Sequence, residues 1–141
     1  MINLKFLFNL SFVILALFPL KKAVMTSVPI DKEEKFIKTE LFFGLNKTDG
    51  TTVSEIEWES FADTVVSKVF YKGATIMKSD GRWLSGDSLI KEQSRVVIYF
   101  SKLYEMTDEF SEKIDLIREK YKAYYKQEAV LRTDEFINAS F

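Results

Sequence analysis

Chemistry in this chain has to come from carboxylates, amines, guanidinium groups, hydroxyls and aromatic rings, because its 141 residues include neither cysteine nor histidine. That one fact excludes disulfides, thiolate nucleophiles, imidazole bases, Cys/His zinc sites and the Ser-His-Asp triad. Three charged residues of strand-like stretches stand out: Glu40 in "FIKTELFFGL", Arg95 in "EQSRVVIYF" and Arg132 in "AVLRT". If Glu40 sits between the two arginines on one sheet face, bidentate bonds would anchor that face, or leave one guanidinium for a carboxylate or phosphate ligand. A cross-strand ion-pair ladder at a sheet surface or dimer seam is the plainer reading of the same residues. Tyr99 shares the parity of Arg95 and joins this candidate face.

Trp83, in "DGRWLSGDSLI", is either the clasp of a projecting hairpin or a platform for a ligand or partner. Glu92 and Ser94 flank the base of the same hairpin. Ser94 has no histidine to activate it, so closing a bulge or turn is its simpler role. Asp80, Asp87 and Glu92 are too dispersed for a calcium loop. No metal site and no cofactor is expected.

These groups need a scaffold, and the chain is long enough for one core. Its body reads strand, helix, two strands, helix, strand. In the first strand Ile37, Thr39, Leu41, Phe43 and Leu45 fall on one side, and Lys38, Glu40, Phe42 and Gly44 on the other. Ser54 and Glu57 form a capping box, with Val53 as a staple on Trp58, and Trp58, Phe61, Ala62, Val65 and Val69 follow at helical spacing. Trp58 is thus a core residue. Two long arms, roughly Gly73 to Leu84 and Ser88 to Lys102, flank the turn "SGDS", with Trp83 opposite Ile90, a bulge at Asp80-Gly81 and a tip projecting beyond the sheet. The second helix starts near Thr107 and buries Phe110, Ile114, Ile117, Tyr121 and Tyr124. "AVLRT" is the last strand of the motif, and "FINASF" a short tail strand.

This order predicts an α+β, ferredoxin-like βαββαβ fold, an antiparallel four-stranded sheet with both helices on one face. Strand order 4-1-3-2 would put Glu40 between Arg95 and Arg132. Arg95, Val97 and Tyr99 are expected on the open face, with Val130 and Arg132, while Val96, Ile98, Phe100 and Leu131 pack toward the helices. Phe42, Val97, Tyr99 and Val130 would then need cover, which a homodimer through the open sheet face supplies.

Upstream, Lys5 precedes an apolar run from Phe6 to Leu20. This 15-residue run, interrupted only by the polar Asn9 and Ser11, suits the core of an export signal and falls short of the roughly 20 apolar residues of a membrane span. The expected organisation is a signal peptide or membrane anchor over 1–27, a linker over 28–36 and the ferredoxin-like domain over 37–141. Exported, periplasmic or secreted, is the expected location, with membrane anchoring by residues 6–20 the alternative. Removing the chain to about Met25 takes away Lys5, Lys21 and Lys22 and no acid, moving the formal net charge from −1 to −4. That argues against a nucleic-acid partner, and membrane contact is expected only through an uncleaved N-terminal segment.

The ordered set "ELFFGL", "EWESF", "GRW", "EQSRVVI" and "YYKQEAVLR" with a terminal "SF" resembles a bacterial family, number 3574 among the domains of unknown function. The resemblance runs from about Thr39 to Phe141. The matching positions are Glu40, Gly44, Gly50, Trp58, Phe61, Gly73, Gly81, Trp83, Glu92, Ser94, Arg95, Gln127, Val130, Leu131 and Arg132. The family's small exported proteins have no assigned activity, so the resemblance implies fold and export but brings no reaction. Two functions follow as expectations. One is a non-catalytic binding or self-assembly module. The other is a cofactor-free enzyme of the dimeric α+β barrel type acting on an anionic or aromatic small molecule; it requires a closed apolar pocket with Tyr99 and an unpaired Arg or Glu.

Overall fold

The computed structural model describes residues 34–140, so the expected signal or anchor and most of the linker lie outside the described residues. The fold is α+β: a four-stranded antiparallel sheet and two helical segments. Strand β1 (Glu34–Gly44) opens inside the expected linker, because Glu34 pairs with Ala139 of β4. Next come α1 (Glu55–Phe61), a π-helical turn (Ala62–Val66) and α2 (Ser67–Val69). They lead into the hairpin β2 (Thr75–Ser85) and β3 (Ser88–Lys102), then a 3-10 turn (Leu103–Glu105), α3 (Asp108–Tyr125) and β4 (Leu131–Ala139). The sheet order is β2-β3-β1-β4, the expected one read from its other edge.

Local chemistry explains the boundaries. The Ser54 hydroxyl accepts from the Glu57 N–H (3.2 Å), and the Ser54 N–H donates to Glu57 Oε2 (2.7 Å), which completes the capping box. Val53 and Trp58 both belong to the buried core. The π turn could not be read from the pattern. Its wider winding brings Val66 and Phe70 fully inside and leaves Val65 and Val69 at the margin. On α3 the buried set is Ile114, Ile117, Tyr121 and Tyr125, not Tyr124, which is exposed. The Tyr125 hydroxyl donates to Glu57 O (2.8 Å) and so ties α3 to α1.

The hairpin register runs unbroken from Thr75↔Ile98 to Ser85↔Ser88, so there is no bulge at Asp80-Gly81. Trp83 does face Ile90. Gly86, with φ 60, takes the first central position of the two-residue turn, where left-handed backbone matches the twist of the strands. Pairing of β3 with β1 stops at Ser94, so the Gly81–Glu92 end of the hairpin projects past β1. The two expected C-terminal strands are one continuous β4.

The core lies between the sheet and the helices. Phe43, Trp58, Phe61 and Tyr121 form its aromatic centre, with Phe43 4.8 Å and Phe61 5.1 Å from the Tyr121 ring. The expected parity of β1 holds: Ile37, Thr39, Leu41, Phe43 and Leu45 are all buried. The expected parity of β3 is reversed. Register places Arg95 beside Phe43, Val97 beside Leu41 and Tyr99 beside Thr39, so these three face the helices. Val96, Ile98 and Phe100 face away. Likewise Val130 is core while Leu131 is exposed on the helix-free face.

Candidate functional site

The helix-free face is organised in rows. One runs Met77, Val96, Phe42, Leu131 across all four strands and is wholly apolar. Its neighbour toward the domain's N-terminal end is Thr75, Ile98, Glu40, Thr133, followed by Phe100, Lys38, Glu135. The charges here satisfy one another: Lys38 Nζ lies 2.8 Å from Glu135 and 3.9 Å from Glu40, and the Thr133 hydroxyl donates to Glu40 Oε2 (3.2 Å). Met77, Leu131 and Phe100 remain 50%, 58% and 41% exposed.

In the other direction the row is small: Ser79, Ser94 and Gly44. Beyond it Gly81 faces Glu92, and then Trp83 faces Ile90. A recess of about 340 Å³ opens here, lined by Trp83, Ile90, Glu92, Asn46, Gln127 and Glu128 among others. Glu92 Oε1 accepts the Asn46 N–H (2.9 Å), and Gln127 Nε2 donates to Asn46 O (2.6 Å). Among the described residues the Ser94 hydroxyl makes only a long contact to Ser79 O (3.4 Å).

The expected site residues therefore divide between the faces. Glu40, Trp83, Glu92 and Ser94 lie on the open face; Arg95, Tyr99 and Arg132 lie on the helix side. Glu40 is not flanked by guanidinium groups, because β1 alternates and its odd residues Phe43 and Leu41 are the ones beside Arg95 and Arg132. Arg95 is buried and donates to Glu55 Oε2 (2.5 Å) and to Ser94 O (3.2 Å). Lys78, 3.0 Å away, shares Glu55, and its hydrogen bond together with that of Arg95 holds the Glu55 carboxyl below the usual carboxylate range. Arg132 reaches over the core edge to Ser111 O, Asp115 and Asp134. Tyr99 stacks on Phe70 at 4.4 Å, and burial pushes its phenol up. Met77 and Leu131 were missed as site residues, although the apolar parity of Val96, Ile98 and Phe100, assigned to the wrong face, was the available signal; Gln127 and Glu128, in the loop between α3 and β4, carried no such signal. Among the described residues no three acidic groups are placed to hold a metal ion, and no helix is long and apolar enough to cross a membrane.

A family model described as a protein of unknown function, DUF3574, matches residues 38–141. The chain belongs to this family. Comparison with curated proteins finds no match. Among solved structures, a phage SAM lyase in complex with S-methyl-5′-thioadenosine is similar, with 20% identity, 74% of this chain and 90% of that chain covered, and a TM-score of 0.51. The apo lyase aligns equally well. CutA1 from Oryza sativa follows at 12% identity, 77% and 85% coverage and a TM-score of 0.47. At these identities the likeness to the lyase is one of fold, and DUF3574 takes no reaction from it.

Proposed function

We propose that this DUF3574 chain is an exported, non-catalytic module that pairs with a second copy of itself through the open face of its sheet. The apolar row Met77–Val96–Phe42–Leu131 carries the reading. A helix-free face meeting only water alternates to polar residues, whereas this face adds Ile98, Phe100, Ile90 and Trp83 around its apolar row. At standard strand spacing and rise the face measures about 19 by 34 Å, on the order of 650 Å², close to the ~800 Å² per partner of a stable interface. A two-fold dimer buries the same patch from both copies and needs no further complementary surface. The pairing of Lys38 with Glu135 and Glu40 lets the charged end of the face enter the contact without stranding a charge.

The enzyme alternative loses its expected constellation, since Tyr99 and Arg95 lie on the helix side and Arg95 is paired. Export rests on Lys5 and the run Phe6 to Leu20. A fusion of residues 1–27 to a reporter active only outside the cytoplasm should be active, and a soluble cytoplasmic product would refute export. Residues 31–141 form a compact unit that contains the whole core, so light scattering on that unit tests association directly. A mass rising to twice the monomer with concentration is expected; a constant monomer mass would refute the pairing.

A further inference from the structure

Most acids that are drawn out of solvent in this protein have a cation. Glu40, Glu57, Glu105 and Asp115 are each partly buried and each ion-paired. Among the described residues Glu92 is the exception: it is partly buried and makes no ion pair. Its one protein donor is the Asn46 N–H on Oε1, which leaves Oε2 without a donor among the described residues. Oε2 is not fully buried, so the carboxylate keeps an open edge on the recess, and its charge meets no cation among the described residues.

Its surroundings make that charge usable. Glu92 stands in a trough of small residues, Gly81 and Gly44 to its sides and Ser94 and Ser79 beyond. The Trp83 indole forms one wall, 45% exposed and lying beside bare Gly81. Glu128, also without an ion pair among the described residues, adds a second negative charge at the rim. An aromatic face beside a fixed carboxylate is the arrangement that recognises an organic cation. Closing the loop after β1 explains the bond to Asn46 but not the charge, since a neutral amide oxygen would accept the same N–H.

We propose that the Trp83–Glu92 recess binds an organic cation, a quaternary ammonium or guanidinium group held between the indole face and the carboxylate. The group can belong to a small molecule or, as a guanidinium, to an arginine of a second copy. The site lies beside the apolar row and does not depend on pairing through it.

The test uses choline and methylguanidinium as probes, with 3,3-dimethylbutan-1-ol as the uncharged isostere of choline, followed by amide and indole NMR. Both cations should shift the Gly81 and Asn46 amides and the Trp83 indole N–H saturably, and the alcohol should not. Glu92→Gln keeps the acceptor for Asn46, so the fold and the Asn46 amide protection stay, while cation affinity falls roughly fivefold to tenfold. Trp83→Leu should weaken the cations to a similar degree. If a second copy supplies the cation, Glu92→Gln also lowers the association constant. If the cation is a small molecule, association is unchanged and probe binding alone is lost. Equal binding of the alcohol, or unaltered probe binding and association in Glu92→Gln, would overturn the proposal. A monomeric protein that still binds the cations through Glu92 would refute the pairing and leave this site standing.

Discussion

Glu92 is packed against the bare backbone of Gly44: a Cβ at position 44 would come within 2.5 Å of Glu92 Oε1 and 2.8 Å of its carboxyl carbon. Gly44 has no left-handed backbone to maintain, so its missing side chain serves this close approach alone. Gly44→Ala should push the flexible end of Glu92 off the Asn46 N–H and cost no more than about 1 kcal/mol. Hydrogen exchange at Asn46 should accelerate more than elsewhere in the loop. A stable Gly44→Ala protein with a protected Asn46 amide would contradict the contact.

Arg95 and Glu55 form an unequal pair, with side-chain exposures of 7% and 50%. Removing Glu55 strands a buried cation, while removing Arg95 leaves a carboxylate that water and Lys78 can satisfy. Urea unfolding should therefore show Glu55→Ala as the costlier change, with a lower midpoint than Arg95→Met. The reverse order would mean that the Arg95 stem, not its charge, is what the core needs.

The two tryptophans should behave differently. Trp58 is 1% exposed at the aromatic centre, and Trp58→Ala should cost about 3–5 kcal/mol. Trp83 is 45% exposed, and Trp83→Ala should cost nearer 1–2 kcal/mol. Thermal melts followed by circular dichroism check both. A Trp83→Ala loss equal to that of Trp58→Ala would make Trp83 a full clasp of the hairpin and leave no ring face for a ligand.

Much of this fold was legible from pattern. The capping box at Ser54, the Trp83–Ile90 pairing, the alternation of β1 and the strand order all rest on local rules that tertiary context leaves intact. The face assignment in β3 failed for a physical reason. Alternation identifies two sides, and the more apolar side is then assigned to the helices. Here the helix-free side holds Val96, Ile98 and Phe100, and the helix side accommodates Arg95, Tyr99 and Ser101. Arg95 can be buried only because Glu55 arrives from α1, a partner with no signal in the sequence near Arg95. Leu131 and Arg132 exchanged places for the same reason, since Asp115 on α3 draws Arg132 over the core edge. The Glu92 recess joins residues from four separate stretches, and spacing cannot anticipate such a site.

Acid should erode the α1 cap. Lys47, together with the Ser54 N–H and hydroxyl, lowers the Glu57 carboxyl to about 2 from its ordinary 4.5. A carboxyl lowered on folding contributes stability that is fully present above about 4.5 and is lost as pH falls toward about 2. Glu57→Gln should therefore flatten the acid limb of a stability–pH curve within that window. The variant and parent should lie parallel above it. Identical acid limbs would contradict the cap's ionic character.

Sedimentation velocity on residues 31–141 and two lysine variants tests the pairing of open faces most directly. Leu131 is 58% exposed at the end of the apolar row, and Leu116 is 51% exposed on α3, away from that face. Neither substitution removes a core side chain, so both variants should fold as the parent does. The parent and Leu116→Lys should sediment as dimers, and Leu131→Lys as a monomer, since a lone charge in the seam is costly to desolvate. A Leu131→Lys dimer as stable as the parent's, or a parent that stays monomeric at every concentration, would contradict the account.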